Sequence, residues 1–154
     1  EHMELIHRFR STALKTGQRV YVALPFDPDL SWGPKEEHYV AGSVAGRSIR
    51  GRLERHGSGF ELPLGAAWRR DNGVVAGDDV EVELAPEGPL LETIASDIAA
   101  AIGAEPDARA FFESVAPFYR KNYIRWIESA RRPETRAARV AETVALLKAG
   151  VVRR

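Results

Sequence analysis

The stretch Asp79-Val80-Glu81-Val82-Glu83-Leu84-Ala85-Pro86-Glu87-Gly88-Pro89 divides the chain into two kinds of structure. Its first six residues alternate, with valines and leucine on one side and acids on the other. That period of two belongs to a strand with one face on a core and one in water. Two prolines and a glycine then fall within residues 85–89, and the alternation does not return. Such punctuation predicts a linker. We therefore expect one domain over residues 4–84, a linker at 85–89 and a second domain over 90–154.

Working back from this point, Arg19–Leu24, Tyr39–Val44, Arg47–Leu53 and Phe60–Leu64 read as further strands. Short strands separated by Gly and Pro predict a small antiparallel β-barrel. Gly42, Gly46 and Gly51 lie inside or beside these strands, where glycine marks a bulge, a bend or a close backbone approach. No glycine-rich phosphate-binding loop is present.

Working forward, residues 91–102 are rich in Ala, Leu and Ile and stop at Gly103. Pro106, Pro117 and Pro133 each open a further helix, ending near Val115, Arg131 and Gly150. Proline costs no hydrogen bond at a first helical position, because that N–H has no partner within the helix. In the third helix Tyr119, Tyr123, Trp126, Ile127 and Ala130 share a face, and in the fourth Ala137, Val140, Val144 and Leu147 do. The expected class is α+β, a small barrel followed by a compact C-terminal bundle of about four short helices.

Composition removes several functions. The chain has no cysteine, which excludes disulfides, thiolate catalysis and cysteine zinc sites, and fits a reducing, cytoplasmic setting. His2, His7, His38 and His56 make no short metal-binding pair and read as solvated or packing side chains. Neither a metal nor another cofactor is expected. No apolar run approaches the roughly 18 residues of a membrane span, and no signal peptide opens the chain; Glu1-His2-Met3 reads as a vector-derived leader. No serine sits in a nucleophile-elbow pattern. The paired acids Glu36-Glu37 and Asp78-Asp79 fall in expected turns.

Charge is uneven although its sum is zero. Residues 1–89 hold 11 Lys/Arg against 14 Asp/Glu, net −3, and residues 90–154 hold 11 against 8, net +3. Arg120, Lys121, Arg125, Arg131, Arg132, Arg136 and Arg139 face only Glu128 and Glu134 within residues 117–139. Aromatics interleaved with cations can stack on planar groups and pair with carboxylate or phosphate; the same pattern also describes a bundle core with a solvated face. The candidate ligand-binding residues are Tyr119, Tyr123, Trp126, Arg131, Arg136 and Arg139. No catalytic residue is assigned.

The run Tyr119 to Ile127, then Ala130-Arg131-Arg132-Pro133-Glu134-Thr135-Arg136 and Arg139-Val140, resembles the YdeI/OmpD-associated, or bacteriocin-protection, family. Arg131 stands where that family usually has lysine, and arginine cannot supply an amine of shifted pKa. Leu24-Pro25-Phe26, Trp32-Gly33, Val40–Leu53, Leu62-Pro63-Leu64 and Gly77-Asp78-Asp79-Val80 resemble the uncharacterised small β-barrel domain often fused ahead of it. The resemblance implies protection against an antimicrobial peptide or other antimicrobial by a non-catalytic binding protein. Peptide or small-molecule ligands and a protein partner are then expected. A cationic peptide would suit the acidic N-terminal half better than the basic helices. The alternatives are a nucleic-acid-binding regulator, opposed by that acidic half, and a small-molecule enzyme with its site at the domain junction.

Overall fold

The computed structural model describes residues 5–152, in two compact units that divide between Glu87 and Gly88. The leader Glu1-His2-Met3 lies outside the described residues. The strands are N-terminal and the bundle helices C-terminal, as α+β requires.

The first unit has two four-stranded antiparallel sheets. In one, β1 (His7–Thr12) pairs with β8 (Asp79–Pro86), β8 with β4 (Tyr39–Val44), and β4 with β5 (Arg47–Arg52). In the other, β2 (Leu14–Thr16), β3 (Arg19–Ala23), β7 (Gly59–Pro63) and β6 (Glu54–His56) follow in that order. The described ladders make two sheets and no closed ring of strands. β8 runs through Ala85 and Pro86, into the segment expected as linker.

The alternation in β8 does what its chemistry demands. Val80, Val82 and Leu84 are buried with Val20, Val22, Val40, Val44 and Leu62. The outward residues meet their exact register partners on β1: Arg8 donates to Glu83 and Arg10 to Glu81, each at 2.8 Å, and Thr12 to Asp79 at 2.7 Å. Directly opposed side chains of opposite charge are the unit of sheet stabilisation. Gly42 is a close approach: a Cβ there would lie 1.8 Å from the Glu83 carbonyl oxygen of the neighbouring strand. Ala45 and Gly46, at φ 53° and 76°, turn β4 into β5.

Two short helices were not expected. α1 (Pro28–Trp32) starts where Asp27 accepts from the Asp29 N–H at 2.9 Å, with proline in its first turn. α2 (Ala66–Asn72) ends at the left-handed Gly73.

The second unit contains α3 (Ser96–Gly103), α4 (Pro106–Ser114), α5 (Pro117–Glu128) and α6 (Pro133–Lys148). Ile98, Ile102, Phe112, Tyr123, Ile127 and Leu147 form its core, and α6 packs on the other three helices. α3 begins five residues later than the composition of 91–102 suggests; residues 91–94 are turn and bend, with Thr93 Oγ1 hydrogen-bonded to Leu90. α5 ends before Arg131 because the chain must become extended ahead of Pro133. Arg132 accordingly has φ −104° and ψ 141°.

Candidate functional site

Helix α5 carries most of the aromatic and basic residues, and its faces sort them. Tyr123 is fully buried and its hydroxyl donates to the Val151 carbonyl oxygen. It is a core residue that ties α5 to the segment after α6. Arg120 is also buried, at 3 % exposure. Its guanidinium donates to the carbonyl oxygens of Val115 at 3.0 Å, Glu113 at 3.1 Å and Pro89 at 3.2 Å. A planar fork of donors suits two acceptors at the end of α4 and a third at Pro89, ahead of α3.

Arg136 and Arg139, both on α6, are likewise engaged. Arg136 forms a two-point pair with Asp97 at the start of α3, at 2.7 and 2.9 Å. The hydrogen bonds from that guanidinium hold the Asp97 carboxyl down at about 2. Arg139 lies over the Trp126 ring at 5.1 Å. It also donates to the Trp126 carbonyl at 2.8 Å and to Ser129 Oγ at 2.9 Å. It thereby occupies a carbonyl in the last turn of α5, which has no partner within the helix. Tyr119 is half-buried and meets the exposed Phe118 edge-on.

Lys121, Arg125, Arg131 and Arg132 remain. All four are exposed, and none makes an ion pair among the described residues. Lys121 and Arg125 line a groove of about 450 Å³ with Pro89, Ile124, Glu128 and Ser129. Its lining combines the apolar Pro89 and Ile124 with two cations, one carboxylate and one hydroxyl. The sequence places Lys121, Ile124, Arg125 and Glu128 in its aromatic and basic run but assigns none of the groove's lining to a site.

The first unit holds a polar cluster that sequence reasoning missed. His38 is 4 % exposed, and its Nε2 lies 2.6 Å from Asp29 Oδ1 on α1. Arg55 on β6 donates to Asp29 Oδ2 at 3.2 Å and to the Lys35 carbonyl at 3.0 Å, while covering the Phe60 ring at 4.5 Å. Burial pushes the His38 imidazole below its ordinary value, against the opposing pull of Asp29. Burial also pushes the Asp29 carboxyl upward, but hydrogen bonds from His38, Arg55 and the Lys35 N–H outweigh it and hold that group low. Beside it, the buried Glu61 accepts from Arg19 at 2.7 Å, and Arg19 reaches Glu54 at 2.5 Å. Among the described residues, no group of three or more His, Asp or Glu side chains could hold a metal ion. No described helix is long and apolar enough to cross a membrane.

Comparison with known families follows the same division. Residues 93–150, from just before α3 to just after α6, match the family described as bacteriocin-protection, YdeI or OmpD-associated. The helical unit is thus similar to the YdeI/OmpD-associated family. Residues 9–84, from β1 into β8, match a domain of unknown function, DUF1905. No curated protein matches the chain. The segment similar to the YdeI/OmpD-associated family contains the α5 groove-lining residues Lys121, Ile124, Arg125, Glu128 and Ser129, whereas the His38 cluster lies in the segment that matches DUF1905.

Proposed function

We propose that the protein acts by binding. In this reading the helical unit holds an anionic group of a ligand or partner along α5, and protection against an antimicrobial agent is the outcome. The family description supports bacteriocin protection in a broad sense. The observation that carries the binding reading is the α5 groove, with Lys121 and Arg125 beside Ile124 and Pro89. Apolar walls with a few placed charges are the usual make-up of a ligand site. Exposed cations with no ion pair among the described residues can pair with a carboxylate or phosphate without breaking an existing ion pair.

Arg131, also exposed, and the half-buried Tyr119 extend this basic and aromatic surface. Tyr123, Trp126, Arg136 and Arg139 support it by fixing α3, α5 and α6. We also read the two sheets as one small barrel. The support is that β1 continues through the buried Ala13 into β2, and β5 through the buried Leu53 into β6.

The test is the double variant Lys121→Ala/Arg125→Ala, assayed for survival of expressing cells under bacteriocin challenge. Surface changes of this kind leave stability within about 0.5 kcal/mol, so the melting curve should be preserved while protection is lost. Full protection from the double variant would remove the α5 groove as the binding site.

A further inference from the structure

The groove of about 450 Å³ along α5 is lined by charges of both signs. Lys121, Arg125 and Glu128 stand on successive turns of the one helix. Side chains three or four residues apart are neighbours on a helix, so Arg125 and Glu128 could close an ion pair. They do not. Arg125 leans back toward Asn122 Oδ1, at 3.5 Å. Glu128, like Lys121 and Arg125, makes no ion pair among the described residues. Arg136, the α6 cation that feels the Glu128 charge, gives two hydrogen bonds to Asp97 instead.

A simple anion in this groove meets a mixed field. It gains from Lys121 and Arg125 and loses to Glu128, and a dianionic phosphate loses more than a carboxylate. The loss is removed when the ligand brings its own cation to Glu128. At 1.5 Å of rise per residue, Glu128 lies about 4.5 Å from Arg125 and about 10 Å from Lys121 along the helix axis. Opposite charges held apart over that range, on an apolar stem that lies against Ile124 and Pro89, complement this lining. The volume is within the roughly 300–1,000 Å³ of small-ligand sites.

We infer that the α5 groove binds a zwitterionic segment of a peptide, with an acidic side chain on Lys121 and Arg125 and a basic one on Glu128. At about 3.3 Å per residue, the two side chains stand about two or three positions apart in an extended peptide. The acid faces the N-terminal part of α5 and the base its C-terminal end. This inference rests on the reading of α5 as an anion-binding surface and adds the other half of the ligand.

The test uses the full chain and 6-aminohexanoate as probe, whose extended stem spans this separation of charge. Hexanoate and hexylammonium serve as half-ligands at matched ionic strength. Methyl spectra report Ile124 in the groove, and Ile49 in the core of the first unit is the control. 6-Aminohexanoate should shift Ile124 in a saturable way and leave Ile49 unmoved. It should bind about threefold more tightly than hexanoate, the scale of one exposed charge pair. Glu128→Gln should erase that preference and keep hexanoate binding, which also shows that the variant is folded. Lys121→Ala/Arg125→Ala should lose both acids. If hexanoate binds as tightly as 6-aminohexanoate, or the preference survives Glu128→Gln, the zwitterion assignment is overturned while the anion reading of α5 stands. If neither acid moves Ile124, or hexylammonium alone matches 6-aminohexanoate, both fall.

Discussion

Arginine is used differently in the two units. In the sheets it meets carboxylates: Arg8 with Glu83, Arg10 with Glu81, Arg19 with Glu54 and Glu61, Arg50 with Glu87, Arg55 with Asp29. Strand backbones satisfy each other, and for Arg8 and Arg10 the partner is the carboxylate standing directly opposite across the ladder. In the helical unit Arg120 and Arg139 meet backbone carbonyls instead. Helix ends leave carbonyls without partners, and a guanidinium can occupy them. A count of charge along the chain misses this distinction. The basic excess of residues 117–139 includes a buried structural cation, a cap and an interhelical tie, so fewer charges face a ligand than the tally implies.

The sharpest way to break the comparison is at Arg120. Arg120→Met keeps the apolar stem and removes the donors, leaving three carbonyls in a buried setting. Each orphaned buried polar group costs about 1–3 kcal/mol, and water entering the vacated site offsets part of the total. The expected loss is about 3 kcal/mol in urea unfolding of the helical unit. Arg120→Lys should recover little of it, because a single ammonium cannot reproduce the planar fork. A variant that loses nothing would mean the carbonyls are already satisfied by solvent. By contrast, Arg10→Ala on β1 should cost no more than about 1 kcal/mol, as exposed pairs do.

What the sequence discloses follows from the range of the interactions involved. β8 was readable because its alternation is local, and α4, α5 and α6 because Pro106, Pro117 and Pro133 are N-terminal signals in themselves. β1 was overlooked, although Arg8 and Arg10 repeat at the same spacing as Glu81 and Glu83; the match appears only when the two are laid opposite each other. α1 carries a local signal in Asp27-Pro28, a capping acid followed by proline in the first turn. The helical period of α5 identified the face bearing Tyr123 and Ile127 but could not say what covers it, and both proved to be core. His38 was beyond sequence reasoning. Its environment depends on Asp29 from α1 and on Arg55 and Phe60 from β6 and β7, brought together only by the fold.

The His38 cluster gives the next largest effect, and it should be confined to the N-terminal unit. The folded state holds the imidazole below its ordinary value of 6.5, whereas the unfolded chain takes a proton there. Stability is then fully present above pH 6.5 and declines as pH falls through the lower folded value. One proton limits the slope to about 1.4 kcal/mol per pH unit. Asp29, also held low, adds a second decline below its ordinary 3.8. Urea midpoints from pH 8 to 5 should show the first limb, and His38→Gln should flatten it. A wild-type midpoint constant over that range would show that His38 takes up its proton in the folded state as readily as in the unfolded one.

The smallest effect is expected at the Asp97–Arg136 tie, which also tests what Arg136 is for. Asp97 titrates at about 2 in the folded state against an ordinary 3.8, through its two hydrogen bonds from Arg136. The sign follows directly: the tie is fully present above pH 3.8 and is lost as pH falls through about 2. Both partners are partly exposed, so salt should weaken the effect. Asp97→Asn and Arg136→Ala should each flatten the same acid limb of helical unfolding, and the double variant should add nothing further. That non-additivity is the signature of one shared interaction. A ligand that competes for Arg136 must displace Asp97, so Asp97→Asn would then improve protection in the bacteriocin assay while Arg136→Ala abolished it. If Arg136 only ties α6 to α3, both variants leave protection unchanged at neutral pH, and ligand contact on this face falls to Lys121, Arg125 and Arg131. The paired variants therefore separate an interhelical strut from a binding residue, which neither substitution does alone.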